Sequence, residues 1–412
     1  MVNEHLAHYV EFLTMDDLDL TGKTVFLRAD INSPIDPNTG RLLNTIRIRE
    51  AAITIRELSK SKVVVGSHQG RVGNYDYVSL REHAEVLKEY VGRNVKFIDD
   101  VIGPAAREAI KNLKQGDVLV LDNLRFVAEE NFEFSIEEAS KTHMIRTLKD
   151  YFDACVIEAF PTAHRANPSI VGFAEVLPTC AGRLLTQEVR SLVSVLQKLR
   201  PPITLVLGGA KVSDRIESLE AIISSYKVDK ILPCGLLGVI FLKAAKDLDA
   251  PTGIKDEEKY VKKAEKLLSD FKEAFVLPED FAVEVDGKRK EFSISQFNSE
   301  KPILDLGMKT VSKYADVIRN SGTVIVSGPP GAYEKKNFEI GTKTLFTELA
   351  NSNALSIASG AHTLTALELF GLRDKITHAT SAGGALIKFL AGKKLPLFEA
   401  LKRAAEKWRT SK

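Results

Sequence analysis

Cysteine is scarce in this chain, with three residues, Cys155, Cys180 and Cys234, among 412. They stand too far apart to form a metal-ligand set, and their neighbours are small or apolar. That pattern predicts buried free thiols in a reducing compartment. Long apolar runs are missing as well. No stretch approaches the roughly 18 residues that a membrane span needs. The opening MVNEHLAHYVEFLTMDDL carries acidic residues and no continuous apolar core, so it does not read as a signal peptide. Charge of one sign is also lacking: the formal net charge is +2, too near neutral to draw the chain to nucleic acid or a membrane surface. Any anion site must therefore come from local placement of cations. A soluble, cytoplasmic protein is expected.

What is present is an ordinary globular composition, 44% hydrophobic and 27% charged, in a chain too long for a single core. Short Val/Ile/Leu runs recur, each followed by a polar or glycine-rich turn and then a helical pattern. They fall at 24–28, 62–65, 118–121 and 154–157 in the first half, and at 203–207, 230–232, 323–326 and 354–357 in the second. Apolar strands alternating with helices predict parallel sheets of βαβ units. The fold class read here is α/β, with two doubly wound, Rossmann-like domains joined by a hinge helix. Leu184, Leu185, Val189, Leu192, Val193 and Leu196 recur at helical spacing, and Pro201 and Pro202 stop that helix. The boundary is placed within it, near 190, giving domains 1–188 and 189–385. The C-terminal helical segment 386–412 has packing back on the first domain as one option. Asp286-Gly287 between alternating runs predicts a hairpin inserted in the second domain. The basic end, LKRAAEKWRTSK, reads as a solvated helix face.

In open parallel sheets ligands bind outside the carboxyl ends of the strands, so the residues after each run are the informative ones. In the first half these are polar and cationic: Arg28-Ala29-Asp30-Ile31-Asn32, Ser67-His68-Gln69-Gly70-Arg71, Asp122-Asn123-Leu124-Arg125, and Glu158 through His164 and Arg165. A single arginine reads most simply as a surface residue paired with an acid. Repetition at four strand ends points to a small-polyanion site, because guanidinium forks match phosphate and carboxylate.

In the second half the strand ends carry glycine instead: Gly208-Gly209-Ala210-Lys211, Ser327-Gly328-Pro329-Pro330-Gly331 and Ser359-Gly360-Ala361-His362-Thr363, with a further turn at 380–384. Glycine lets backbone N–H groups approach an oxyanion, and the following helix start adds a favourable dipole. Tight turns that need glycine for geometry alone are the alternative. Several such loops in one domain favour a nucleotide, with Lys211 placed to reach a transferring phosphate. None of them fits a P-loop or a G-x-G-x-x-G fingerprint.

At these same loops the chain resembles phosphoglycerate kinase, from about Val25 to the C-terminal helix. The motifs are RADINSP (28–34), SHQGR (67–71), DNLRF (122–126), EAFPTAHRANPS (158–169), GGAKVSDRI (208–216), SGPPGAYE (327–334) and TSAGGA (380–385), in family order. The resemblance implies reversible phosphoryl transfer between 1,3-bisphosphoglycerate and ADP, giving 3-phosphoglycerate and ATP with Mg²⁺. It assigns the phosphoglycerate to Asp30, Asn32, Arg47, His68, Arg71, Arg125 and Arg165. Arg47 comes from RIRE, where Arg49 competes and the family's Arg-Ile pair favours Arg47. Lys211 matches the lysine beside the transferring group, Glu334 the ribose ligand, and Gly360, Ala361, His362 and Thr363 the loop at the nucleotide phosphates and metal. Gly208, Gly209, Gly328 and Pro329 complete the nucleotide edge, and Gly235 is placed at the adenine pocket.

Arg215, Ser327, His362 and Glu158 depart from the Lys, Asn, Asp and Asp common in the family. His362 resembles a variant of archaeal members. Imidazole is a poor magnesium ligand, so no protein metal ligand is assigned and the metal is expected on phosphate oxygens and water. Arg47 and Lys211, with Arg215, are the expected catalytic cations, and hinge closure is expected to bring them together. The partners implied are small molecules only, with a monomer favoured over a dimer. The alternatives are a non-catalytic nucleotide- or phosphate-binding relative of the same fold, or a kinase of a different small acid.

Overall fold

The computed structural model describes residues 6, 8–209, 211–245, 248, 250–297 and 301–409. The chain forms two compact units. The first runs to Ser191 and regains the chain at Lys394, and the second holds Leu192–Lys393. The division lies inside the Arg183–Leu196 helix. The second unit continues to Lys393, past the 385 read from the sequence. There the Gly384–Leu390 helix packs on the Val212–Tyr226 helix, with Lys388 pairing Asp214 at 3.2 Å.

In the first unit six strands form one sheet: β1 (Thr24–Ala29), β2 (Lys62–Gly66), β3 (Val95–Ile98), β4 (Val118–Leu121), β5 (Ala154–Glu158) and β6 (Thr179–Ala181). Their order is β3-β4-β2-β1-β5-β6, and every pairing is parallel. Strands β1, β2, β4 and β5 are buried at nearly every position, so both faces are covered and neither reads as alternating. On one face Val25, Leu27, Val63 and Val120 pack against Ile48, Ala52 and Ile55 of the Ile46–Glu57 helix. On the other, the Phe26 ring meets Phe173 at 4.7 Å and Phe152 at 5.2 Å.

The sequence reading missed β3 and β6, of four and three residues, the first broken by an exposed lysine, Lys96. The Pro396–Trp408 helix docks on this unit. The Leu397 N–H donates to the Ala163 carbonyl at 3.1 Å, and Phe398 sits edge-on to Phe160 and Tyr9. Its basic face is engaged as well as solvated, because Arg403 and Lys407 both reach Glu175 at 3.0 Å.

The second unit has a five-stranded parallel sheet of β7 (Ile203–Leu207), β8 (Lys230–Pro233), β12 (Thr323–Ser327), β13 (Leu355–Ser359) and β14 (His378–Thr380), ordered β14-β13-β12-β7-β8. Between β8 and β12 the chain inserts β9 (Asp280–Val285), β10 (Lys288–Ser293) and β11 (Asp305–Leu306) as a small antiparallel sheet. The β9–β10 turn is Asp286-Gly287 with φ of 53° and 72°, the positive pair that a two-residue hairpin requires.

The strand order of the larger sheet reverses between β7 and β12, and a crevice opens outside the carboxyl ends of a sheet at such a point. All three cysteines are buried and free. Among the described residues no helix is long and apolar enough to cross a membrane.

Candidate active site

Adjacent parallel strands β4, β2, β1 and β5 deliver their following loops to one edge of the first unit. Asp30, just past β1, is buried and accepts Nη1 of Arg47 at 3.2 Å through both carboxylate oxygens. The same Nη1 donates to the Asn32 carbonyl at 3.2 Å, while Arg47 Nε is buried with no hydrogen-bond partner among the described residues. An acid and a carbonyl thus aim the guanidinium through Nη1. The Asn32 side chain accepts the Gly70 N–H at 3.2 Å, tying the β1 loop to the β2 loop.

His68 is buried, and its Nδ1 lies 3.2 Å from Nη2 of Arg28. A guanidinium only donates, so Nδ1 accepts and the neutral ring carries its hydrogen on Nε2. Neutrality follows from burial first, then from the fields of Arg28, Arg125, Arg47 and Arg165, which together hold the imidazole well below its ordinary range. Four arginines therefore converge on one histidine.

Arg125 is buried, donates to the Gly70 carbonyl, and is pulled down to about 10, first by burial and then by Arg165, Arg28 and Arg71. Arg71 is exposed and Arg165 half-buried at the same edge. Crowded cations with few matching acids form a site that a polyanion relieves. The acid that balances the interior is Glu130, 3.8 Å from Arg28 and bonded to Ser169, whose hydroxyl also takes the Arg28 Nε–H at 2.6 Å.

Beneath the loops Gln69 acts as a staple. Its Oε1 accepts the Ser33 N–H and faces His83 Nε2, each at 2.9 Å. Its Nε2 donates to the Ser33 and Asp76 carbonyls, and its backbone is held by Asn123. Arg28, Glu130 and Gln69 were not assigned from the sequence. The one signal was a cation, Arg28, inside the apolar run TVFLRA.

In the second unit the loops after β7 and β12 meet at the order reversal. A Cβ on Gly208 would overlap the Pro329 carbonyl, and one on Gly328 would overlap that of Gly208, so only glycine permits this approach. The Gly208 N–H donates to Ser327 O at 3.0 Å, and that of Gly209 to Pro329 O at 2.9 Å. Gly235, after β8, packs against the Gly209 backbone. Gly360, with φ of 108°, starts the Ala361–Leu369 helix after β13, and Thr363 in its first turn accepts the Gly328 N–H at 3.0 Å. Gly208, Gly209, Gly235, Gly328, Pro329, Gly360 and Thr363 therefore lie on one edge.

Lys211 is exposed at the start of the Val212–Tyr226 helix. Arg215, one turn on, is folded over the loops: Nε donates to Ser327 O at 3.2 Å and Nη1 to the Lys211 carbonyl, and burial draws its pKa down to about 10. Glu334 is exposed in the loop after β12. Tyr333 beside it is buried, which pushes its phenol up to about 12, and its hydroxyl lies 3.1 Å from His362 Nδ1. The exposed imidazole is thus turned to a tyrosine. No group of three or more His, Cys, Asp or Glu side chains among the described residues could hold a metal ion. Asp305 of β11 braces this loop from behind through Arg289 (2.7 Å) and the Gly341 N–H (2.8 Å), and burial raises its carboxyl to about 6.

Fold and edges together define a class: a doubly wound, two-unit α/β protein with a cationic anion edge in one unit and a glycine-lined edge at the sheet reversal of the other. The phosphoglycerate kinase family matches residues 15–393. The chain is 41% identical over 408 residues to the phosphoglycerate kinase of Methanobacterium bryantii, covering 97% of this chain and 99% of that one. It is 38% identical over 409 residues to that of Thermococcus sibiricus, at 97% and 98% coverage. The solved phosphoglycerate kinase of Pyrococcus horikoshii superposes with a TM-score of 0.89 at 37% identity, covering 96% of this chain and all of that one, 100%. That of Coxiella burnetii gives 0.70 at 32% identity, with 95% and 98% covered. The chain belongs to the phosphoglycerate kinase family.

Proposed function

We propose that this chain transfers a phosphoryl group reversibly between 1,3-bisphosphoglycerate and ADP, yielding 3-phosphoglycerate and ATP. The observation that carries the reading is the gathering of the loops bearing Arg28, Asp30, His68, Arg125 and Arg165 at one edge of the sheet, with His68 buried 3.2 Å from Arg28 and Arg125 bonded to the Gly70 carbonyl. Such a site suits a small acid bearing phosphate and carboxylate. In this reading Asp30 and Asn32 aim Arg47 and the loops. His68 donates from Nε2, and Arg71, Arg125 and Arg165 pair with the charged groups of the acid. On the other edge, the glycines Gly208, Gly209, Gly328 and Gly360 keep the loops free of side chains so that the nucleotide phosphates can approach, and the helix start at Ala361 to Thr363 receives them. Pro329 and Gly235 flank the nucleoside, Glu334 takes the ribose, and His362 stays with Tyr333. Magnesium comes in on the nucleotide, held by phosphate oxygens and water, as part of the substrate.

The chemistry needs alignment and charge neutralisation more than covalent help. The acyl O–P bond breaks and leaves a carboxylate, while an anionic oxygen of the ADP terminal phosphate forms the new bond to phosphorus. No base is required. Arg47 and Lys211 neutralise the transferring group, with Arg215 steadying the β7 and β12 loops. Exclusion of water from the reacting groups protects the acyl phosphate from hydrolysis. We place the enzyme in the cytoplasm as a monomer. A coupled assay tests the reading: ATP should form from 1,3-bisphosphoglycerate and Mg·ADP, and a panel of other acyl phosphates should be poor donors. Absence of ATP formation by folded protein, or a better donor in the panel, overturns it.

A further inference from the structure

Glu158 closes β5 and opens the motif EAFPTAHR, yet its carboxylate does not join the arginine edge. It turns to the root of the Arg183–Leu196 helix, where Oε1 accepts the Leu185 N–H and Oε2 accepts that of Leu184 at 3.2 Å. Oε2 also accepts the Thr54 hydroxyl. The Thr54 oxygen in turn accepts the N–H groups of Arg183 at 3.1 Å and Leu184 at 3.4 Å. First-turn N–H groups have no partner within their own helix, and a carboxylate is the favoured neighbour of that positive end. Thr54 is fully buried and Glu158 nearly so, and a Cβ on Gly182 would overlap the carboxylate, so the junction has no slack for another side chain.

Thr54 belongs to the Ile46–Glu57 helix, whose first turn carries Arg47. Residues seven apart share one helix face, here separated by about 10 Å along a rigid rod. The Arg183–Leu196 helix is the segment that leaves the first unit after Ser191. One carboxylate therefore joins the element that aims Arg47 to the root of the connection into the other half of the chain.

We infer that Glu158 is a positioning residue for phosphoryl transfer: through Thr54 it fastens the Arg47 helix to the start of the connecting helix and holds the arginine in register with that connection. The inference rests on the functional reading given above. Burial raises this carboxyl toward neutrality against the pull of its three donors. A group kept at that cost, beside an element that aims a catalytic cation, is doing more than filling space.

The test uses the full chain as wild type, Arg47→Ala, Glu158→Gln, Thr54→Val and the Glu158→Gln/Thr54→Val double variant. Measured for each are kcat, KM for 3-phosphoglycerate and for Mg·ATP, and the folded fraction. Each single clamp variant should lose kcat roughly 10-fold per folded molecule, because small misplacement at a distance from the chemistry suffices. Both KM values should stay within about 2-fold, and the double variant should fall no further than the worse single one. Wild-type kcat in the folded variants, losses that multiply, or a rise in KM at unchanged kcat overturn the inference. If Glu158→Gln fails to fold, Thr54→Val, which lacks only the hydroxyl, decides by the same criteria. If wild type forms no product, the functional reading itself fails and takes the clamp with it. If wild type works and Arg47→Ala does not, the clamp variants judge the inference alone.

Discussion

Arg47 shows how a surface-looking cation becomes a directed one. Asp30 and the Asn32 carbonyl fix Nη1. Arg47→Ala is expected to lower kcat roughly 10²-fold, the scale of a lost transition-state donor, with smaller changes in KM. Steady-state kinetics checks this, and a KM change alone would make Arg47 a binding residue only. That Asp30, His68, Arg125 and Arg165 gather at one sheet edge was legible in the sequence because parallel strands repeat one pattern, an apolar run and then a polar loop, and the pattern says where the loops gather. Arg28 was legible as a cation at a strand end, but its burial and pairing were not. Its partners Glu130 and Ser169 lie far along the chain, and nothing beside it announces a buried counter-charge. Glu158 stood out only as a departure from the family's Asp, and its role was not legible for the same reason: its donors Thr54 and Leu185 sit 104 and 27 residues away.

At the scale of elements, loops and helix roots carry the function. Gly328 has φ of 86° and lies against the Gly208 carbonyl, so Gly328→Ala both strains the backbone and forces the β7 and β12 loops apart. A loss of ~2 kcal/mol in stability or more is expected, with weakened nucleotide binding and unchanged 3-phosphoglycerate binding. Calorimetric titration of each ligand, alongside thermal melting, checks this.

The root of the Arg183–Leu196 helix adds a pH signature. Burial raises Glu158 from its ordinary 4.5 to about 7, opposed by Thr54, Leu185, Leu184 and the charge of Arg183, itself paired with Asp16 and Glu57. A raised carboxyl pKa means that the folded state holds the proton more tightly. Its contribution to stability is complete below about 4.5 and is lost as pH rises to about 7. Glu158→Gln cannot titrate, so wild type should lose stability relative to this variant across that window, by up to about 3 kcal/mol. Denaturant unfolding of both proteins at several pH values measures the difference, and parallel curves would contradict it. The β9–β10 hairpin was legible because Asp-Gly supplies the two positive φ values a tight turn needs. Strands β3 and β6 were not, because four and three residues carry too little periodicity.

For the whole molecule, the account claims a division of labour: the arginine edge of the first unit takes the acid, the glycine edge of the second takes the nucleotide, and neither reacts alone. Two sheets with complementary edges were readable from composition after each strand. The extent of the second unit was read short by eight residues, from 385 to 393, because the Gly384–Leu390 helix gives no sign in sequence that it stays with the second sheet. The most direct measurement is hydrogen–deuterium exchange of the full chain with each ligand separately. With 3-phosphoglycerate alone, protection is predicted at 30–34, 67–71, 122–126 and 160–165. With Mg·ADP alone, it is predicted at 208–216, 327–334 and 359–363. Protection of the first unit by nucleotide alone, or of the second by the acid alone, would contradict the account.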